Sequence, residues 1–252
     1  MEIEISTKTI EEFLEEYQAL NIELEQTRIS ENIPKFDKLL DEFTQMKSEY
    51  HLWNKDVAER YNIFKVLNIR HAETKTHTPY LINLLNPKGS HAQGLLFFNL
   101  FIDKIAPQSK RYLFQNLKIH NLILREEKHT VDGRLDIFIE SFGREEKFVI
   151  VIENKINAKD QDLQLSRYYR YCKGRGFTDD NILLIYLTKE GENAKGYSMV
   201  IDDQERLKKA DVLIDISYHN EMSKIMKMYI DKLESSKVRF IAQQYLDIIK
   251  TI

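Results

Sequence analysis

The sequence predicts an α/β protein, a mixed sandwich of helices and sheet with a helical extension at its N-terminal end. Three observations lead there. Apolar residues recur at 3/4 spacing through roughly the first hundred positions, then switch from residue 117 to short runs of strand length. The runs come as a three-strand meander, followed by strand and helix in alternation. No internal repeat or low-complexity linker interrupts them. The extension is assigned to residues 1–52 and the main domain to 53–252.

The elements follow in order. Residues 7–26 carry Phe13, Leu14, Tyr17 and Leu20 at helical spacing, and 35–50 carry Phe36, Leu39, Leu40 and Phe43. Pro34 between them predicts an αα-hairpin that packs on the core or on a second subunit. A third helix is expected over 54–67. Thr78 and Pro79 read as the N-cap and first turn of a helix ending at Leu85. "NPKGSH" breaks it, and "AQGLLFFNLFIDKI" is another buried helix. "LKIHNLILREEKHT", "RLDIFIES" and "KFVIVIENKI" hold the meander, residues 159–173 are helical, and "NILLIYLT" and "DVLIDISY" are further strands. One helix over 220–251 closes the chain, with Met222, Ile225, Met226 and Tyr229 on one face.

Bulk properties narrow the function classes. A chain of 252 residues buries one substantial core. Its 37 basic and 40 acidic residues give a net charge of −3, so contact with nucleic acid must rest on local patches. A single cysteine, Cys172, excludes an internal disulfide framework and fits a reducing cytosol. "MEIEISTKTIEEFLEEY" is acidic and has no apolar core of a signal peptide. Runs such as "FVIVI" are too short to span a bilayer, so the expectation is a soluble, cytoplasmic protein with no membrane partner. Nucleophile elbow, Walker loop and Cys/His metal patterns are all missing.

The informative stretch is "RLDIFIESFGREEKFVIVIENKIN". Side chains alternate along a strand, so Asp136, Phe138 and Glu140 share one face, and in the next strand so do Val149, Val151, Glu153 and Lys155. A turn centred at Arg144–Glu145 places Asp136 opposite Glu153. Facing Cβ atoms in such a pair are about 5 Å apart. Two carboxylates that close repel; either one takes up a proton or a cation lies between them. Lys155 lies on the same face, one step further along.

Asp136 followed by Glu153-Asn154-Lys155 resembles the signature of the PD-(D/E)xK nuclease superfamily, although Arg134-Leu135 stands where a proline often precedes the aspartate. "QLSRY", Gln164 to Tyr168, is similar to the Q-x-x-x-Y motif of RecB-like members. "AETKTHTPYLINLLNPKGSHAQG" is similar to the upstream helical block of one bacterial branch. The resemblance covers roughly residues 60–220.

It implies a restriction-endonuclease-like mixed sheet core flanked by helices, and hydrolysis of phosphodiesters with Mg²⁺, for which Mn²⁺ can substitute. On that reading Asp136, Glu153 and Lys155 are catalytic. Asp136, Glu153, the Asn154 carbonyl and the upstream Glu73 hold the metal, Gln164 and Tyr168 steady the site and contact the substrate backbone, and His77 and Arg167 contact the substrate. A hard cation of this kind prefers oxygen ligands and keeps several waters, so two carboxylates and a carbonyl suffice. Gln161, Gln164, Tyr168 and Tyr171 are expected on one helix face, and Lys159, Arg167, Arg170, Lys173 and Arg175 give the segment positive charge. Glu126 and Glu127 read as ordinary strand-end charges, His91 as a turn residue, and "YLTKEG" as a strand end without chemistry.

The expected partner is nucleic acid, DNA ahead of RNA, with a second copy of the chain through the N-terminal helices. A role in bacterial defence or repair is a family-level expectation. An RNase on the same scaffold, or a binding or assembly protein that has lost turnover, stays open at this point.

Overall fold

The structure, a computed structural model, describes residues 7–130, 133–143 and 147–252. The chain separates into two compact units, Met1–Tyr61 and Asn62–Ile252.

In the first unit, helix α1 spans Thr7–Val57 without a break and Pro34 lies inside it. The expected αα-hairpin is therefore not formed. An interior proline removes one backbone hydrogen bond but does not by itself reverse a chain. The segment contains no glycine to turn on. The helix expected over 54–67 is likewise divided: Ala58 adopts the left-handed conformation, with φ of 47°, just past the end of α1.

The second unit opens at Asn62, whose side chain caps the short helix α2 (Ile63–Val66) and donates to the Gln244 carbonyl at 2.8 Å. A single π turn, Glu73–His77, runs directly into α3 (Thr78–Leu85). Thr78 therefore starts this helix without capping it. Helix α4 (Leu96–Ile105) follows, and then strands β1 (Leu122–Thr130), β2 (Gly133–Phe142) and β3 (Lys147–Asn154). Helix α5 (Gln164–Gly174), β4 (Ile182–Thr188), α6 (Ile201–Lys209), β5 (Leu213–Ser217), α7 (Ser223–Lys232) and α8 (Ser236–Ile249) complete the unit.

Two of these depart from the sequence reading. The closing helix is two helices, because Ser235 accepts a hydrogen bond from the Val238 N–H and caps a new start. The sequence reading assigns no residues to helix α6: of its nine residues only Gln204 and Leu207 are buried, too few to register as a periodic pattern.

The five strands lie in sequence order, β1 to β5. The first three pair antiparallel, whereas β4 and β5 join parallel to β3 and to each other. Parallel neighbours require crossovers, which α5 and α6 supply. Such strands are covered on both sides and read as unbroken apolar runs, as β3 and β4 do. One face packs Ile137, Ile139, Ile150, Ile152 and Ile185 against α3, α4, α7 and α8. The other packs Phe138, Val149, Val151 and Leu184 against Leu165, Tyr168 and Cys172 of α5 and Leu207 of α6. No helix among the described residues is long and apolar enough to cross a membrane.

The turn after α3 is held by close approach. A Cβ on Gly89 would lie 2.3 Å from the Asn83 carbonyl oxygen and 2.7 Å from the His91 ring. His91 is buried there, with Nε2 on the Asn86 carbonyl and Nδ1 accepting from the Gln93 N–H. Gly89→Ala should cost on the order of 2 kcal/mol in urea unfolding, because the obstructing atom is backbone. An unchanged unfolding midpoint would show that the turn relaxes freely.

Candidate active site

The strand register brings the two acids together. Ile137 lies opposite Ile152 in the β2–β3 ladder, and one step further along the same register Asp136 meets Glu153. The turn residues Arg144 and Glu145 lie outside the described residues; the ladder on either side of them, from Phe142↔Lys147 onward, carries the register by itself.

Glu153 ends an apolar strand and is only 1 % exposed. Its Oε1 accepts from two donors, Lys155 Nζ at 2.7 Å and Gln164 Nε2 at 2.7 Å. Its Oε2 is buried and has no hydrogen-bond partner. Burial, and after it the Asp136 carboxylate, push Glu153 up to about 8, against the pull of Lys155. Asp136 is raised too, chiefly by burial, although its Oδ2 accepts the Asn154 N–H at 3.1 Å. Burial works against the Lys155 ammonium, but Glu153, Asp136 and Asp160 outweigh it and hold Lys155 above the ordinary lysine value.

Gln164 is oriented from both ends. Its Oε1 accepts the Gln161 N–H at 3.0 Å, and its Nε2 also reaches Tyr168 Oη at 2.9 Å. Tyr168 in turn donates to the Arg134 carbonyl at 2.6 Å, tying α5 to the start of β2. Both side chains are buried, and they hold the Glu153 carboxylate in place, the steadying half of the role expected of them. Leu163, at φ of 52°, delays the helix to Gln164. Gln161 consequently lies in the preceding turn and not on the helix face.

The remaining candidates are placed differently. Glu73 was expected as a metal ligand, but its Oε1 accepts the N–H groups of Asn157 and Ala158, at 3.0 and 2.8 Å, and so clamps the segment after β3. Among the described residues no three His, Cys, Asp or Glu side chains are grouped closely enough to hold a metal, while the Glu73 carboxylate lies near enough to Asp136 to help raise it. His77, expected at the substrate, is fully buried; Nδ1 meets Tyr245 Oη at 3.0 Å and Nε2 the Arg70 carbonyl at 2.8 Å. Arg167 folds back onto the Asp162 carbonyl and the Gln161 side chain. Lys173 and Arg175 pair with Asp179 and the buried Glu140, which leaves less free positive charge on α5 than the sequence suggested.

Several residues were missed. The Asn154 side chain lies on the opposite face of the sheet, donating to Thr78 Oγ1 at 3.0 Å and accepting from Tyr218 Oη at 2.8 Å. Tyr186, beside Glu153 in the parallel ladder, donates to Asp160 at 2.9 Å. An open pocket of about 290 Å³ adjoins Lys155 and includes Tyr186, Lys189, Asn193 and Lys195 in its wall. A hydroxyl near the C-terminal end of an apolar strand was the available signal for Tyr186.

A buried carboxylate with one unpartnered oxygen, beside a second carboxylate, fits a hard divalent cation with water and carbonyl oxygens in the rest of its shell. A family model described as the PD-(D/E)XK nuclease superfamily matches residues 61–247. No curated protein and no solved structure matches the chain. The match covers most of the chain, which belongs to this superfamily, and the five-stranded mixed sheet flanked by helices is consistent with a restriction-endonuclease-like fold.

Burial pulls His77 down from 6.5 to about 4. The folded state therefore resists a proton that the unfolded chain accepts, so stability is full above pH 6.5 and falls as pH drops toward 4. The loss should reach about 3 kcal/mol, at about 1.4 kcal/mol per pKa unit. Urea unfolding between pH 7 and 4.5 should give a steeper decline for the natural chain than for His77→Gln. Parallel curves would contradict the burial of a neutral imidazole.

Proposed function

We propose that this member of the superfamily is a divalent-metal-dependent nuclease that hydrolyses phosphodiester bonds of DNA in the cytoplasm, with Mg²⁺ as its ion and Mn²⁺ able to substitute. The observation that carries the reading is Glu153, a buried carboxylate beside Asp136 with one oxygen held by Lys155 and Gln164 and the other unpartnered. Asp136 and Glu153 would hold the ion, with the Asn154 carbonyl completing the protein's share. A cation bound there supplies positive charge that neutralises phosphate oxygens and makes a water more acidic.

The chain's own residues do the rest. Lys155 keeps its proton at neutral pH, orients the attacking water through its N–H groups and offsets negative charge gathering on the phosphate. Gln164 and Tyr168 fix the Glu153 carboxylate, so no rearrangement is needed as the reaction proceeds. Lys189 and Lys195 bring positive charge to the pocket beside Lys155, where a nucleic-acid backbone is accepted. DNA is taken as substrate from the family resemblance. With one site per chain, cutting both strands of a duplex calls for two copies.

The test is cleavage of supercoiled plasmid, linear duplex, single-stranded DNA and RNA with Mg²⁺, Mn²⁺ or EDTA. Metal-dependent cutting of DNA is expected, reduced at least about 10²-fold by Glu153→Gln and by Lys155→Ala. Gln164→Leu should cost about 10- to 100-fold, because it acts only through Glu153. Cutting of RNA alone would overturn the substrate. Undiminished cutting by Glu153→Gln would overturn the site.

A further inference from the structure

Helix α1 presents a stripe that nothing in its own unit covers. After Pro34 seven apolar residues fall at intervals of 3, 4, 3, 4, 3 and 4, ending on the last residue of the helix, with Leu40 and Leu52 outside the repeat. Phe36, Phe43 and Tyr50 occupy the a positions of three successive heptads and Val57 that of the next, with Leu39, Met46 and Trp53 at the d positions between them. All seven are exposed, from 41 % for Tyr50 to 64 % for Phe36. A strict 3.5-residue repeat is the pattern of a helix that buries its stripe against another helix with the same repeat.

We infer that residues 36–57 form a parallel two-stranded coiled coil with a second copy of this chain. The flanking charges select the partner and its direction. The g positions are Glu42, Glu49 and Asp56, and the e positions are Leu40, Lys47 and Asn54. In an antiparallel pair g faces g, which sets acid against acid along the seam. In a parallel pair each g faces the e position five residues further along the other helix. That arrangement puts Glu42 against Lys47 of the second copy and Glu49 against Asn54, with no like charges opposed. The same acidic flank disfavours an anionic membrane surface as the occupant. Leu40 at an e position widens the apolar stripe on the side where the partner sits.

The stripe N-terminal to Pro34 does not continue this register. Phe13, Tyr17, Leu20 and Leu24 are spaced 4, 3 and 4, but carrying that repeat forward places polar Glu31 on the seam and misses Phe36. The proline separates the two halves, and the seam is assigned to the second alone.

The test is sedimentation of the full chain over a wide concentration range. Twice the chain mass is expected. Leu39→Glu/Met46→Glu should weaken association at least tenfold; glutamate is a strong helix former at these exposed positions, so circular dichroism should keep its helical signal. Lys47→Glu should also weaken it, and combining Lys47→Glu with Glu42→Lys should restore it. Under mild oxidation Phe36→Cys should link to its own copy, since a positions face each other in a parallel pair and native Cys172 is buried. A monomer at every concentration, or a dimer indifferent to Leu39→Glu/Met46→Glu, would overturn the seam. Linking of Phe36→Cys only to Val57→Cys in mixed samples would overturn the parallel direction.

Discussion

The burial of one ionisable carboxylate at the end of an apolar strand is the constraint on which the rest of the site depends. Glu153 is the penultimate residue of β3, the central strand of the sheet, with helices packed over both faces. Water cannot solvate it there, and its neighbour across the hairpin is another acid. Each nearby group makes sense as a response to that charge. Lys155 and Gln164 donate to one oxygen, Tyr168 braces Gln164, and Asp136 is held by the backbone N–H that follows Glu153. The other oxygen is buried without a hydrogen-bond partner. A core that tolerates such a group at its centre is organised around function at some cost to stability.

Strand alternation distributes the rigidity. Glu153 and Lys155 point toward α5, while Asn154 between them points to the other layer and is fixed by Thr78 and Tyr218. Thr78 begins the helix entered directly from the π turn that carries Glu73 and His77. Glu73 then reaches back to the backbone of Asn157 and Ala158, just beyond Lys155. Three consecutive residues are therefore anchored through both faces of the sheet. Catalytic geometry is held best when the supporting shell is itself packed and hydrogen-bonded.

How much of this was legible in the sequence follows from the range of each interaction. The pairing of Asp136 with Glu153 could be read because a tight hairpin makes register a matter of counting. The Gln164–Tyr168 pair could be read because both lie on one short helix. The contacts of Asn154 with Thr78 and Tyr218 join residues 76 and 64 positions apart, and no local pattern announces them. Helix α6 escaped periodicity, although a parallel β4–β5 pair requires some crossover in that place. Pro34 misled in the other direction, since a helix-breaking residue was read as a reversal where the chain only continues. His77 looked functional beside Thr78-Pro79 and is instead part of a buried cluster with Tyr218 and Tyr245.

The central claim is that Glu153 and Asp136 form a cation site, and calorimetric titration of Mn²⁺ at pH 7 in two buffers of different ionisation enthalpy tests it most directly. Burial and the Asp136 carboxylate raise Glu153, so a cation that binds the ionised carboxylate favours release of a proton. The account predicts binding at one site per chain accompanied by proton release, and neither signal in Glu153→Gln. Absence of binding, or binding of equal strength in Glu153→Gln, would contradict it.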